Sequence, residues 1–170
     1  DALAKIMKSN KKKKLVQKAA CSALKNLSKE EDAIPILLSK GFDSLVIDAM
    51  DTYGDSEELQ ECACTFLMNM GSNSPEASVE ICSGEGIHCI IKSMQTIPTS
   101  ASLQQASCGA LYAVTKGDAH KNMAISAGAV DAVIYLMLVH PDEVGVLENA
   151  VNVLVNLSSL RKCTRTIAES

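Results

Sequence analysis

Seven cysteines and three histidines carry the widest chemical range in this 170-residue sequence, and their spacing decides what they could do. Cys62 and Cys64 stand one residue apart, and His88 adjoins Cys89. A structural zinc site needs a second such pair at a defined separation, and none follows. Cys21, Cys64 and Cys108 occupy one position of a recurring pattern beside apolar residues, where cysteine acts as a small apolar group. His120 and His140 have no Ser, Cys or carboxylate that the sequence places beside them, so neither reads as the base of a catalytic pair. There is no phosphate-binding glycine loop, dinucleotide fingerprint or nucleophile elbow. The expectation is a protein with no catalytic residues, no metal and no cofactor. Redox sensing by an exposed thiol is the one remaining route to chemistry.

The other candidate chemistry is that of amides. A side-chain amide both donates and accepts, so it can pair with the N–H and C=O of one residue in an extended chain. Asn26, Asn69 and Asn156 are candidates for such pairing if the chain brings them to one surface. Four segments decide the matter: VQKAACSALKNLS from Val16, LQECACTFLMNMG from Leu59, LQQASCGALYAVT from Leu103 and VLENAVNVLVNLS from Val146. They align without gaps and start 43, 44 and 43 residues apart. Apolar residues fall at positions 1, 5, 9 and 12 of each, as in Val16, Ala20, Leu24 and Leu27; only Ser107 departs from this. That spacing draws one stripe along a helix of three to four turns. The three asparagines share position 11 of the pattern, and the third copy has Ala113 there.

Between the long segments run two shorter echoes. One is Phe42, Leu45, Val46, then Ile87, Ile90, Ile91, then Val130, Val133, Ile134. The other is an apolar residue followed three positions later by glycine: Leu38 and Gly41, Ile81 and Gly84, Ile125 and Gly128. Each glycine is expected in the left-handed conformation that ends a short helix and turns the chain. The unit is thus a short helix, a glycine turn, a medium helix, a loop and a long helix. Aromatic residues make up only 3% of the chain, Trp is absent, and no period-2 alternation is sustained, so the fold class is all-α.

These residues resemble the armadillo repeat, whose third helix reads roughly Val-Gln-x-x-Ala-x-x-Ala-Leu-x-Asn-Leu. Residues 23–28 and 154–158 match its end, and residues 122–130 match its short first helix and glycine. The resemblance covers almost the whole chain and implies a right-handed α-solenoid of three-helix repeats. It divides the chain into a partial repeat at 1–29, repeats at 30–72, 73–116 and 117–159, and the start of a further one at 160–170. Leu3, Ile6 and Met7 repeat the second-helix pattern and Ile167 falls in a first helix, so the sequence reads as a section of a longer array. Exposed apolar ends of this kind would favour end-to-end association between copies.

In armadillo proteins the third helices line a concave groove, which implies that positions 3, 7, 10, 11 and 14 face it here. The groove candidates are Lys18, Ser22, Lys25, Asn26 and Lys29; Glu61, Thr65, Met68, Asn69 and Ser72; Gln105, Gly109, Tyr112, Ala113 and Lys116; Glu148, Asn152, Val155, Asn156 and Ser159. The amides would form a ladder along the backbone of an extended peptide, or else bond the neighbouring repeat. Importin-type armadillo proteins read basic peptides with a Trp four residues before the Asn, where this chain has Ser22, Thr65, Gly109 and Asn152. A nuclear-import adaptor is therefore disfavoured.

Charge is segregated: the first 40 residues hold 10 Lys and 4 acids, and the remainder 6 basic and 16 acidic residues. Lys11, Lys12, Lys13 and Lys14 with Lys18, Lys25 and Lys29 could meet an acidic or phosphorylated partner, and Asp48, Asp51, Asp55, Glu57, Glu58 and Glu61 a basic peptide. With no aromatic or Arg interleaved in the lysine cluster, nucleic acid is disfavoured. No apolar run approaches the ~20 residues of a membrane span, and no secretory signal is visible. An odd number of cysteines spread through helical patterns points to reduced thiols, in cytoplasm or nucleus. The expected function is a non-enzymatic scaffold that binds an extended peptide segment of a protein partner. The alternative is a structural or regulatory array inside a larger multidomain signalling protein.

Overall fold

The computed structural model describes residues 2–160. Among them are eleven α-helices and no strand: α1 (Ala2–Ser9), α2 (Lys14–Leu27), α3 (Ile34–Ser39), α4 (Phe42–Thr52), α5 (Glu57–Asn73), α6 (Pro75–Ser83), α7 (Gly86–Thr96), α8 (Ala101–Val114), α9 (Asp118–Ser126), α10 (Ala129–Val139) and α11 (Val144–Ser158). The four aligned segments form α2, α5, α8 and α11. These long helices stack in chain order, α2 on α5, α5 on α8 and α8 on α11. The medium helices α1, α4, α7 and α10 form a second layer, each packed against the long helix that follows it. The result is an α-solenoid with one apolar interior running between the layers, joining residues from Ala4 to Leu157.

Local chemistry sets the boundaries. Pro75 opens α6 behind Ser74, whose Oγ accepts the Ala77 N–H at 3.0 Å. Ser100 Oγ accepts the Leu103 N–H in the same way at the start of α8. Gly41 (φ 69°) and Gly128 (φ 86°) take the expected left-handed conformation between the short and medium helices. The third turn departs from expectation: Gly84 has φ −103°, and the left-handed residue is Glu85, with φ 64°. The reason lies one residue on. A Cβ on Gly86 would fall 2.5 Å from the Ile81 carbonyl oxygen, so glycine is required there, and the strained position passes to Glu85. Aligning the chain on Gly41, Glu85 and Gly128 sets Asp43 opposite Ile87 and Val130. All three are buried, and Asp43 accepts a hydrogen bond from Ser44 Oγ.

The long helices α5 and α8 approach closely because glycine faces the neighbour in each. A methyl on Gly71 would meet Val114 at 2.9 Å, and one on Gly109 would meet the Met68 sulfur at 2.5 Å. Met7, expected at an exposed end, is 1% exposed because it packs into the interior below α2, whereas Ile6 is 47% exposed. Ile167 lies outside the described residues. No single helix among those described is long and apolar enough to cross a membrane.

Candidate functional site

The long-helix layer has two sides. Positions 1, 5 and 9 turn toward the medium helices and are buried in α5 and α8. Positions 3, 7, 10 and 14 lie on the opposite side and are exposed or half-buried in all four helices. Lys18, Ser22 and Lys25 of α2, Glu61, Thr65 and Met68 of α5, Gln105, Gly109 and Tyr112 of α8, and Glu148, Asn152 and Val155 of α11 therefore share one continuous face. Ala113 was expected there but is only 2% exposed: position 11 rotates toward the neighbouring helix and away from the open face.

That rotation decides what the asparagines do. Asn69 Nδ2 donates to Ser28 Oγ at 3.0 Å, and Asn156 Nδ2 donates to both Oγ1 and the carbonyl of Thr115 at 2.9 Å. Each acceptor is the residue just past the last turn of the preceding long helix, so the amide ties one repeat to the one before it. Where position 11 is Ala113, the acceptor residue is Gly71, which has no side chain, and Lys116 substitutes. Its Nζ donates to the carbonyls of Gly71 and Ser72 at 3.2 Å each, a favourable place for a cation at a helix C-terminus. Asn26, in the first of the four long helices described, is exposed. Of the two readings of the asparagines, bonding to the neighbouring repeat is the one this geometry realises for Asn69 and Asn156.

The segregated charges also meet each other. Lys11 pairs with Asp48 at 2.8 Å, Lys14 with Asp55 at 3.1 Å, Lys18 with Glu58 at 2.8 Å and Lys25 with Glu61 at 3.7 Å. Lys92 of α7 reaches back to Asp51 at 2.8 Å, and its hydrogen bond and charge hold that carboxyl below the usual range. Glu57 accepts from Ser100 Oγ at 2.6 Å. The basic and acidic stretches are thus complementary surfaces of adjacent repeats, an internal use that the one-dimensional charge count does not reveal.

Two further sets of side chains join the elements, and sequence reasoning assigned neither. Gln17, Gln60 and Gln104, at position 2 of three long helices, are 0–3% exposed. Each Nε2 donates to two carbonyls at the end of the medium helix before it: Met7 and Asn10, Met50 and Tyr53, Met94 and Ile97, all at 2.8–3.0 Å. The recurrence of Gln immediately after the first apolar residue was the available signal; α11 has Leu147 there. Tyr53 and His140 form the second set. Tyr53 donates its hydroxyl to the Lys11 carbonyl at 2.8 Å, and His140 Nε2 lies 2.7 Å from the Pro98 carbonyl. Because a carbonyl only accepts, Nε2 carries the hydrogen.

The thiols among the described residues are interior. Cys21, Cys64 and Cys108 are fully buried, and burial pushes their pKa values to about 12, 11 and 12. Cys64 accepts a hydrogen bond from Ser107 Oγ at 3.4 Å and lies 3.7 Å from Ser93 Oγ. Among the described residues no three of His, Cys, Asp and Glu converge as a metal site would require. A cleft of about 480 Å³ opens on the medium-helix side, where Lys11, Asp48, Asp51, Glu85 and His88 contribute to its lining. Its charges are largely spent on the Lys11–Asp48 and Asp51–Lys92 pairs.

Known proteins place this architecture. An engineered protein of known structure superposes with a TM-score of 0.83 at 21% identity, covering 99% of this chain and 68% of its own. A second engineered protein gives 0.82 at 26% identity, covering 98% and 39%. A designed armadillo repeat protein in complex with the peptide (KR)4 gives 0.81 at 18% identity, covering 99% and 70%. No curated protein sequence matches the chain significantly. The family described as the LRRK2 ARM repeat matches residues 2–124, more than two thirds of the sequence. With its period, three-helix units and stacked long helices all in agreement, the chain belongs to the LRRK2 ARM repeat family.

Proposed function

We propose that this chain is a non-enzymatic protein-interaction scaffold that holds an extended segment of a protein partner along the open face of α2, α5, α8 and α11. The observation that carries this reading is the continuity of that face. Four helices in register present positions 3, 7 and 10 to solvent without interruption by a loop, and binding surfaces of repeat proteins characteristically lie along such a surface. The peptide-bound designed armadillo protein, which shares the fold, supports the same use. The six cysteines among the described residues, all buried and without a disulfide, suit a reducing compartment, cytoplasm or nucleus. Partners other than protein, nucleic acid and membrane included, find no dedicated surface in this reading.

A library of short random peptides, displayed and selected on the folded protein, tests it. Binders should be lost when Thr65→Arg and Gln105→Arg crowd the open face, and kept when Val79→Arg alters the exposed side of α6, outside the long-helix layer. Equal loss in both variants, or none in either, removes the groove from the reading. A second reading, a rigid structural or regulatory array within a larger protein, is favoured by the engagement of Asn69, Asn156, Lys18, Lys25 and Lys116 inside the array. It predicts that no groove-dependent binder is selected.

A further inference from the structure

We infer that the segment read by this groove is electrically neutral and is anchored by apolar side chains along position 10 of the long helices, the position-11 asparagines serving the array alone. The inference rests on the groove reading above and names the chemistry of its partner. Position 10 runs across the four helices as Lys25, Met68, Tyr112 and Val155. Lys25 is paired with Glu61. The other three form an apolar row: the Met68 thioether lies across the Gly109 backbone, Tyr112 is 48% exposed and Val155 is 64% exposed.

Charge argues the same way. On the open face of α5, α8 and α11 the charged groups are Glu61, Lys116 and Glu148, and the first two are already bonded within the chain. Glu148 apart, a charged partner would have to break those bonds to gain its own. An apolar side chain only has to cover Met68, Tyr112 and Val155, displacing water from surface that gains nothing from it. The remaining groups, Thr65, Gln105 and Asn152, are neutral donors and acceptors suited to an uncharged backbone. Spacing fits as well. Packed helices stand ~8–10 Å apart, and an extended or polyproline-II segment advances ~3.1–3.4 Å per residue. Anchors on successive helices therefore match side chains two or three positions apart.

The amides beside this row are engaged within the array. Asn156 Nδ2 donates to the carbonyl and Oγ1 of Thr115, and one N–H of Asn69 goes to Ser28, so a peptide would have to compete with these bonds for the amide donors.

The test is the composition and salt response of the peptides selected above. Groove-dependent binders should be neutral, with apolar residues two or three positions apart, and their affinity should change little between low and physiological salt. Tyr112→Ala and Val155→Ala, both at exposed positions, should each weaken binding by about tenfold. Asn156→Ala should lower thermal stability yet leave affinity within about twofold at a temperature where the variant is folded. Groove-dependent binders that are rich in Lys, Arg, Asp or Glu, or insensitive to Tyr112→Ala and Val155→Ala, or lost in Asn156→Ala, overturn this inference while leaving the groove in place. Failure to select any groove-dependent binder overturns the groove reading itself, and the inference falls with it.

Discussion

Replacing the buried amide of Gln104 by a carboxylate should destabilise the array far more than removing it. In the native chain Gln104 Nε2 donates to the Met94 and Ile97 carbonyls at 3.0 and 2.9 Å, with no exposed surface, while its Oε1 has no hydrogen-bond partner. Gln104→Leu removes two neutral hydrogen bonds, about 0.5–1.5 kcal/mol each, but also removes a buried acceptor that is unsatisfied at a cost of roughly 1–3 kcal/mol. The two terms nearly cancel, so the net loss should be close to zero, in keeping with Leu147 at this position in α11. Gln104→Glu sets an ionised oxygen against two carbonyls, and an uncompensated buried charge costs about 3–5 kcal/mol. Against a total stability of ~5–15 kcal/mol that is a large share.

The acid form separates the two effects. Burial raises the pKa of the introduced carboxyl in the folded state, so its penalty is absent below the unfolded value, ~4.3 for Glu, and grows as pH rises through the window above it. Protonated, the group also donates to one of the two carbonyls. Urea unfolding followed by circular dichroism should therefore show a difference of about 3 kcal/mol or more between the Glu and Leu variants at neutral pH, shrinking as the pH falls toward ~4. Equal losses for the two variants at neutral pH, or a difference that does not change with pH, would refute the assignment of Gln104 as a buried double donor.

Other expectations follow from the same geometry. Glu85→Gly should stabilise the protein by about 1 kcal/mol by relieving a left-handed non-glycine residue, and Gly86→Ala should destabilise it through the Ile81 carbonyl; thermal melts of both variants decide this. Asn156→Ala should cost about 1–2 kcal/mol in urea unfolding through its two bonds to Thr115, and exposed Asn26→Ala close to none. Cys21, Cys64, Cys82, Cys89 and Cys108, whose pKa values are about 11 to 12, should resist a thiol reagent at pH 8 until the protein is unfolded, as peptide mapping of the labelled sites would show; rapid labelling of any of them in the folded protein contradicts their burial. Lys92 depresses the pKa of exposed Asp51, so the stabilisation it gives is present above the unfolded Asp value of ~3.9 and is lost as pH falls through the folded value. A double-mutant cycle at neutral pH should find only a weak coupling for the pair, which added salt screens further.

The architecture was legible in one dimension because solenoid repeats impose their period on the sequence. The stripe through Leu59, Ala63, Leu67 and Met70 recurs because every long helix must bury the same side against the same neighbours. Gly41 and Gly128 were legible because a left-handed turn selects glycine through local sterics alone. Gly84 misled for a related reason: two glycines flank Glu85, and the constraint fell on Gly86 through a carbonyl five residues earlier.

What tertiary structure alone decided is the partner of each polar group. Periodicity assigns a side chain to a face but does not say whether that face meets solvent or the next repeat, about 40 residues away in the chain. Asn69 and Tyr112 differ by one position of the pattern, a rotation of about 100°. That rotation joins Asn69 to Ser28 and leaves Tyr112 open to solvent. The lysines and acids likewise counted as opposite blocks in the sequence and became paired neighbours once the repeats stacked. The sequence by itself determined the helices, their order and their buried stripes, which depend on local periodicity. The hydrogen bonds and ion pairs between repeats depend on stacking, and they determine which groups of the open face remain for a partner.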